Sequence, residues 1–405
     1  MSGVRTMVAA GMLSAVVAVG CAAAPGTSSS HRSATPPGEP AVGRPSARCD
    51  PAGTVVQTRT GQRRGGRLWP GCLIAREGPT VAAQAVDPAA GLAYVLVSRT
   101  VRGLRGLYAL ERLSLRTGAV HPGPVFPPSP AGLISLVTAS GYLWVSELPA
   151  SSSQPVVTQV SLRNLAVIRS LRLPKVTGAC SPGVAVAAGP PGSVWIGSFH
   201  TLLRLDAASG AILTRLTAPG GVAVSDIAVD PDHSYLYVSV AHVVKGGCEG
   251  NALVEYGARS GRRLASATRG LITDSIIGAQ LTAVPGGVWA SFRTGMLGVT
   301  IHLRQRDLAM IAPPGPRIAL SGTNGLFHWA MSGGTIYGGG TLWLANQGGW
   351  VACLNPQTGQ VRAAERIPSS RGLISPLAAD GATHRVIAAG DGGLVQVAPP
   401  KRCWQ

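Results

Sequence analysis

Eight polar residues occupy related places in a repeated sequence pattern and are candidates for a binding or catalytic site. Six follow an aromatic or apolar strand motif, and two precede the apolar strand of the next unit. The first six are Glu147, His200, His242, Arg293, Asn346 and Asp391, and the other two are Asp226 and Asp274. Carboxylates and imidazoles gathered at one site can exchange protons with a ligand. The alternative interpretation of each is a solvated loop residue.

Common catalytic and cofactor-binding motifs are missing from the sequence. The histidines show neither HxH nor HExxH spacing, no cysteines form a CxxC pair, and GxSxG, GxxxxGK[ST] and a helix-opening GxGxxG are absent. We therefore assign no catalytic residue and no metal ligand, and we expect no bound cofactor. A binding protein fits this pattern better than an enzyme does, and an enzyme stays open as the alternative.

The element that would position these residues is a strand motif that recurs every 42 to 54 residues along the chain. Its anchor positions are Tyr94, Trp144, Trp195, Tyr237, Trp289, Trp343 and Val386. A strand rich in Ala and Val precedes each anchor, a strand ending in a tight turn follows it, and a fourth strand closes the unit. Seven four-stranded antiparallel units predict an all-β, seven-bladed β-propeller, with six or eight blades as the alternatives.

The two ends of the repeat complement each other. The last unit, which begins at Ile374, has only three strand patterns, whereas residues 50–75 precede the first complete unit and contain strand-like sequence. Open sheet edges favour aggregation, so a closed ring is preferred. We predict that the N-terminal segment supplies the missing outer strand of the last blade, within a propeller domain that covers residues 49–405.

Residues 1–20 read as a signal peptide, with Arg5 followed by an uncharged apolar run that is too short to span a bilayer. The residues Ala18-Val19-Gly20-Cys21 resemble the bacterial lipobox, although that family usually has Leu where this chain has Ala18. The resemblance implies that Cys21 is acylated, becomes the mature N-terminus and anchors the protein in the cell membrane on its extracytoplasmic side. An ordinary secretory signal is the alternative. Residues 21–48, rich in Ser, Pro, Ala and Gly, are predicted to be a disordered tether.

Six further cysteines suggest disulfides, because their number is even and the chain carries an export signal. They are Cys49, Cys72, Cys180, Cys248, Cys353 and Cys403. In the predicted ring, Cys353 and Cys403 lie in neighbouring blades. Cys180, in the link before blade 3, and Cys248, in the second-to-third loop of blade 4, can also meet. Cys49 and Cys72 remain as the third pair, and buried free thiols are the alternative for all six.

Several repeat units resemble those of known propeller families. LLRLDAASGAILTRL (202–216) and ACLNPQTGQVRA (352–363) resemble the repeats of YVTN and quinoprotein-like propellers, and VTASGYLWVSE (137–147) is similar to the repeat of virginiamycin B lyase-like propellers. These resemblances imply the fold. The lyase activity would need histidine, glutamate and a metal late in the chain, and a quinoprotein dehydrogenase would need a tryptophan-rich repeat and calcium, none of which this sequence matches.

The formal charge of +18 comes from 35 basic and 17 acidic residues. An exported chain without a recognisable RNA- or DNA-binding module is not expected to bind nucleic acid. A compositional bias toward arginine without a specific target is the favoured explanation of the charge, and attraction to anionic lipid or cell-wall polymer is the alternative. We therefore predict a lipid-anchored, non-catalytic binding or scaffolding propeller for an envelope protein or ligand, with an enzyme or cofactor-binding propeller as the alternative.

Overall fold

The computed structural model describes most of the chain that follows residue 70. The described residues are 71–76, 81–87, 90–101, 104–115, 117, 119–128, 134–149, 152–175, 183–218, 222–244, 247–267, 277–294, 297–312, 332–346, 350–366, 374–381, 383–390 and 393–404. The predicted signal peptide, the acylation site Cys21 and the tether lie outside these ranges. Among the described residues, no helix is long and apolar enough to span a bilayer.

Twenty-eight strands form seven four-stranded sheets. The first fourteen are β1 (Gly71–Arg76), β2 (Val81–Asp87), β3 (Leu92–Val101), β4 (Leu104–Ser114), β5 (Val120–Phe126), β6 (Ile134–Ala139), β7 (Tyr142–Glu147), β8 (Val156–Ser161), β9 (Val167–Arg172), β10 (Val184–Ala188), β11 (Ser193–Ser198), β12 (Thr201–Asp206), β13 (Ile212–Thr217) and β14 (Val222–Val229). The others are β15 (Tyr235–Val244), β16 (Gly247–Gly257), β17 (Arg263–Ala267), β18 (Ile277–Val284), β19 (Gly287–Thr294), β20 (Leu297–Arg304), β21 (Met310–Ala312), β22 (Ser332–Gly338), β23 (Thr341–Asn346), β24 (Trp350–Leu354), β25 (Val361–Arg366), β26 (Ile374–Asp380), β27 (Arg385–Gly390) and β28 (Gly393–Val397). A short 3-10 helix, Lys401–Trp404, follows β28.

The sheets confirm the predicted seven-bladed propeller and its closure. Blades 1 to 6 each contain four strands that are consecutive in sequence, beginning at β2, and all neighbouring strands are antiparallel. Blade 7 has the order β26, β27, β28, β1. Residues Gly71 and Arg76 of β1 pair with Val397 and Gly393 of β28. The N-terminal strand therefore occupies the outer position of the last blade, as the sequence predicts.

The anchor residues of the repeat lie in the second strands and fill the spaces between blades. All seven are at most 1% exposed. Trp195 of blade 3, for example, packs in one apolar cluster with Leu236 and Val254 of blade 4. Burial of large aromatic side chains is a major source of stability, so these positions hold neighbouring blades together.

Polar contacts repeat at the same blade boundaries. In blade 3, Trp195 Nε1 and Arg204 Nη1 both donate to the carbonyl oxygen of Ala258 in the third-to-fourth turn of blade 4, over 3.0 and 3.4 Å. Trp195 and Arg204 face each other on adjacent strands. Two equivalent cross-strand pairs reach the next blade with both members, Tyr94 with Arg112 and Trp289 with His302. In blade 4, Glu255 accepts a bond from the backbone N–H of Arg306, whereas the hydroxyl of the facing Tyr237 has no hydrogen-bond partner among the described residues. The second and third strands thus clamp the turn of the following blade.

Aspartate side chains accept backbone hydrogen bonds in the first-to-second turns of blades 1 and 4. Asp87 Oδ1 accepts a bond from the Ala90 backbone N–H, and Asp230 Oδ1 accepts bonds from Ser234 and Tyr235. In the third-to-fourth turn of blade 6, Gly359 has φ +70° and a Cβ there would lie 2.6 Å from the ring of Trp289. Only glycine meets both demands at this position.

At the boundary between blades 6 and 7, a disulfide takes the place of the polar clamp. Cys353 of β24 faces Trp343 across the strand pair and is joined to Cys403 of the 3-10 helix, with the two Cα atoms 5.5 Å apart. This is the pair expected from the sequence. Cys49 and Cys180, and the side chains of Cys72 and Cys248, lie outside the described residues, so the other two pairings stay predictions. Cys248 itself belongs to the third strand β16, opposite Val243, and not to the loop where the sequence analysis placed it.

Candidate functional site

The ring has two faces that differ in their turns. The face with the second-to-third turns also carries the links from each fourth strand to the next blade, and we call it the ligand face. The opposite face carries the first-to-second and third-to-fourth turns, and we call it the turn face. On the ligand face, the hairpins β3–β4 and β15–β16 have strands of 10 and 11 residues, whereas both strands of the corresponding hairpin in blade 3 have six. Blades 1 and 4 therefore extend the ligand face with long hairpins.

Glu147 is the buried acidic residue of this face. It is the last residue of β7, and strand alternation places it on the same side as Leu143 and Val145, which pack against Leu96 of blade 1. Only 4% of Glu147 is exposed, and its Oε2 atom has no hydrogen-bond partner among the described residues. Burial raises the pKa of this carboxyl to about 7. A carboxyl with that pKa changes charge near neutral pH and is suited to contact a cationic or hydrogen-bonding group of a ligand.

We expect Glu147→Gln to stabilise the protein at pH 8 and to change little at pH 5. Because the pKa of Glu147 is raised in the folded state, the free energy of unfolding of the wild-type protein falls as pH rises from about 4.5 to about 7. At about 1.4 kcal/mol per pKa unit, the loss is at most roughly 3 kcal/mol. Urea unfolding at both pH values measures the difference.

Asp206→Asn is the matched control for this prediction. Hydrogen bonds from the backbone N–H and the hydroxyl of Ser209 lower the pKa of Asp206. Neutralising Asp206 should therefore destabilise the protein at pH 8, which is the opposite sign. Equal stability of wild type and Glu147→Gln at pH 8 would show that Glu147 is solvated.

His200 lies on the ligand face, in the turn that joins β11 and β12. The turn has two residues, because Ser198 pairs with Thr201, and its first residue, Phe199, has φ +47°. A positive φ is unfavourable for a bulky residue. Phe199 is held by burial and by the backbone bond from Val224 N to its carbonyl oxygen, 2.7 Å. The ring of His200 packs on that of Phe199, with centroids 3.9 Å apart.

Asp226 requires a correction. We expected it just before an inner strand, but it lies inside β14, because the long second strand β15 provides partners for Val222 and Ala223. Its Oδ2 accepts a bond from the backbone N–H of Leu281 in the inner strand of blade 5, 2.7 Å away. Burial raises the pKa of Asp226 to about 7, although this bond and one from Ile227 lower it. Asp226 therefore links the inner strands of blades 4 and 5.

The remaining candidates are placed by their backbones alone. His242 lies within β15, opposite Val222 and Glu249, and not in a loop, because the hairpin of blade 4 continues beyond it. Arg293 lies in β19, opposite Gly298, and Asn346 is the last residue of β23. Their side chains, and the residues Asp274 and Asp391, lie outside the described part of the structure. The structure thus brings candidate positions from several blades to one face without showing that their side chains converge.

The centre of the ring is built from small apolar and hydroxyl residues. The inner strands are rich in Ala, Val, Gly, Ser and Thr, as in β10 and β18. Hydroxyl groups join neighbouring blades near the centre: Thr282 Oγ1 of inner strand β18 lies 2.6 Å from Thr335 Oγ1 of inner strand β22, and Ser146 of the second strand β7 donates to the carbonyl oxygen of Val184 in inner strand β10. Within the described ranges, no three His, Cys, Asp or Glu side chains group closely enough to hold a metal ion.

Sequence reasoning missed a feature of the outer wall. Large apolar side chains are exposed in the fourth strands, for example Val167 with Ile168 and Ile212 with Leu213. The signal was present, because two consecutive apolar residues at the start of a strand point to opposite sides, so at least one faces outward.

Comparisons with known proteins support the fold. The sequence matches no known protein family, and it matches no curated protein. The structure is similar to that of BamB from Moraxella catarrhalis, with a TM-score of 0.50 and 18% identity over 79% of this chain and 85% of that one. It is also similar to the WD40 domain of Pan2 from Neurospora crassa, with a TM-score of 0.51 and 12% identity over 80% of this chain and 90% of that one. At these identities the likeness shows a shared propeller fold.

Proposed function

We propose that this protein is a lipoprotein anchored through Cys21 on the extracytoplasmic side of the cell membrane, and that its propeller is a non-catalytic binding or scaffolding module. The observation that carries the binding role is the ligand face. It combines a clamped, closed ring with long hairpins on blades 1 and 4 and a buried carboxylate oxygen of Glu147 that has no hydrogen-bond partner in the described part of the chain. A rigid scaffold that presents projecting elements is suited to hold a partner.

The partner that we propose is an envelope protein or an anionic cell-wall polymer. The charge of +18 favours acidic partners, because like charges repel the protein and opposite charges accelerate association. No nucleic acid is proposed for a chain with an export signal.

The alternative is an extracytoplasmic enzyme or cofactor-binding propeller of the quinoprotein-like or lyase-like kind. The specific observation in its favour is the pair of carboxyls, Glu147 and Asp226, whose pKa values are raised to about 7. Groups that titrate near the working pH are suited to proton transfer. The bonds of Asp226 favour a structural role for this residue, however, since both of its carboxylate oxygens accept hydrogen bonds from backbone N–H groups.

Fractionation of cells tests the anchor directly. We expect wild-type protein to stay in the membrane fraction after a high-salt wash and to leave it only with detergent. Cys21→Ser protein should be released by the salt wash, because acyl chains contribute about 0.8 kcal/mol per buried methylene and an electrostatic contact alone is screened by salt. Cys49→Ser is the matched control and should fractionate like wild type. Salt-resistant membrane association of Cys21→Ser would overturn the anchor.

A further inference from the structure

The exposed apolar residues of the ring follow a positional rule. In the part of the chain whose side chains are described, all nine exposed large apolar residues belong to fourth strands, and eight of the nine occupy one of the first two positions. The eight are Val120, Val167, Ile168, Ile212, Leu213, Leu264, Met310 and Ile311. We call this set the aliphatic rim. It runs through blades 1 to 5 without interruption.

The aliphatic rim lies at the edge of the turn face. Each fourth strand begins directly after a third-to-fourth turn, so its first residues are at the same height in every blade of the ring. The rim residues therefore lie close to one plane, perpendicular to the axis of the ring. A flat surface can contact them together, whereas a compact protein interface would cover only one part of such a ring.

Basic residues accompany the rim. Arg163 precedes β9, and Arg259, Arg262 and Arg263 surround the start of β17; all four are exposed. In the third-to-fourth turns of blades 2 to 5, the acidic residues are Asp206 and Asp307. Asp307 is paired with Arg304 in a salt bridge. The first-to-second turns of the same face adjoin the inner strands and carry Asp87, Asp230, Asp232 and Asp380. The outer edge of the turn face is therefore positively charged overall.

The chain also enters the ring on this face. Strand β1 occupies the fourth position of blade 7 and pairs antiparallel with β28, so its first residue, Gly71, lies at the turn face and Arg76 at the ligand face. Gly71, the first described residue, therefore lies at the same face of the ring as the aliphatic rim.

We propose that the aliphatic rim and its arginines rest on an anionic lipid surface and orient the ligand face away from the membrane. The orientation rests on the proposed lipid anchor, whereas the affinity of the rim for lipid does not. Aliphatic side chains next to basic ones are the chemistry of an interfacial membrane contact.

The test uses the full chain with Cys21→Ser, so that acylation cannot contribute, and measures its co-sedimentation with vesicles. We expect binding to phosphatidylcholine vesicles that contain phosphatidylglycerol, and at least ten-fold weaker binding to pure phosphatidylcholine. Adding Ile168→Asn with Leu213→Asn should weaken binding about ten-fold, since partly inserted aliphatic groups lose their apolar contact. Adding Arg262→Gln with Arg263→Gln should weaken it roughly 25-fold, because each basic group near the surface contributes about five-fold.

Val125→Asn is the matched control, because Val125 is the exposed apolar residue outside the first two strand positions. It should bind vesicles as the parent chain does. The proposal is overturned if the rim variants bind like the parent, if neutral and anionic vesicles bind equally, or if sedimentation equilibrium shows that the rim joins two copies of the chain. Loss of vesicle binding in the rim variants, together with salt-resistant membrane association of Cys21→Ser in cells, would leave the rim assignment standing and reject the anchor.

Discussion

Replacing Trp195 by alanine is expected to lower the free energy of unfolding by about 3–5 kcal/mol, which is the range for a large aromatic residue in a well-packed core. Trp195 is fully buried between blades 3 and 4 and packs against Leu236 and Val254. Its Nε1 also donates to the carbonyl oxygen of Ala258, 3.0 Å away. The substitution removes the apolar contact and one arm of the clamp at once, so the effect is large.

Two further variants separate the contributions of packing and hydrogen bonding. Trp195→Phe keeps most of the ring but loses the bond, and we expect a loss of about 1–2 kcal/mol, because Arg204 still donates to Ala258. Leu213→Ala, at an exposed position, should change stability by less than about 0.5 kcal/mol. Denaturant unfolding measures all three. A loss below about 1 kcal/mol for Trp195→Ala would contradict the role of the anchors as the contacts that join the blades.

The overall fold could be predicted because the same pattern of strands and turns recurs seven times along the chain. One buried anchor, such as Trp144 or Trp289, is weak information by itself, but its recurrence at a nearly constant interval indicates blades and sets their number. The closure by β1 followed from the missing fourth strand of the last unit. The number of blades and the closure of the ring by β1 both depend on the order of strand patterns along the chain, and that order is visible in the sequence.

The details of the candidate site could be predicted only in part. The end of β7 placed Glu147 on the ligand face, but its burial depends on side chains of blade 1 that are distant in sequence. Asp226 was misplaced because the long hairpin of blade 4 and the bulge between Val224 and Asp226 move strand boundaries. Loop and strand residues near such boundaries have similar composition, so local patterns do not separate them.

The repeat pattern also does not predict the aliphatic rim. Residues such as Ile168 and Leu213 fit the alternation of a strand, and only the assembled ring shows that none of the described residues forms a further layer over them. Exposed apolar residues become informative when they share one position across several blades, which requires the register of each sheet.

Site-specific photo-crosslinking in intact cells tests the binding role of the ligand face most directly. A benzophenone amino acid at Ser153, exposed in the second-to-third loop of blade 2, should give one discrete adduct with an envelope protein or cell-wall polymer. The same amino acid at Ala208, exposed in the third-to-fourth turn of blade 3, should not give that adduct, because the turn face points the other way. Adding Glu147→Arg, which places a cation at the buried carboxylate position at the end of β7, just before this loop, should weaken the Ser153 adduct at least ten-fold while the protein stays folded by circular dichroism. The same adduct from both positions, or none from Ser153 above the Ala208 level, would contradict a binding role for the ligand face.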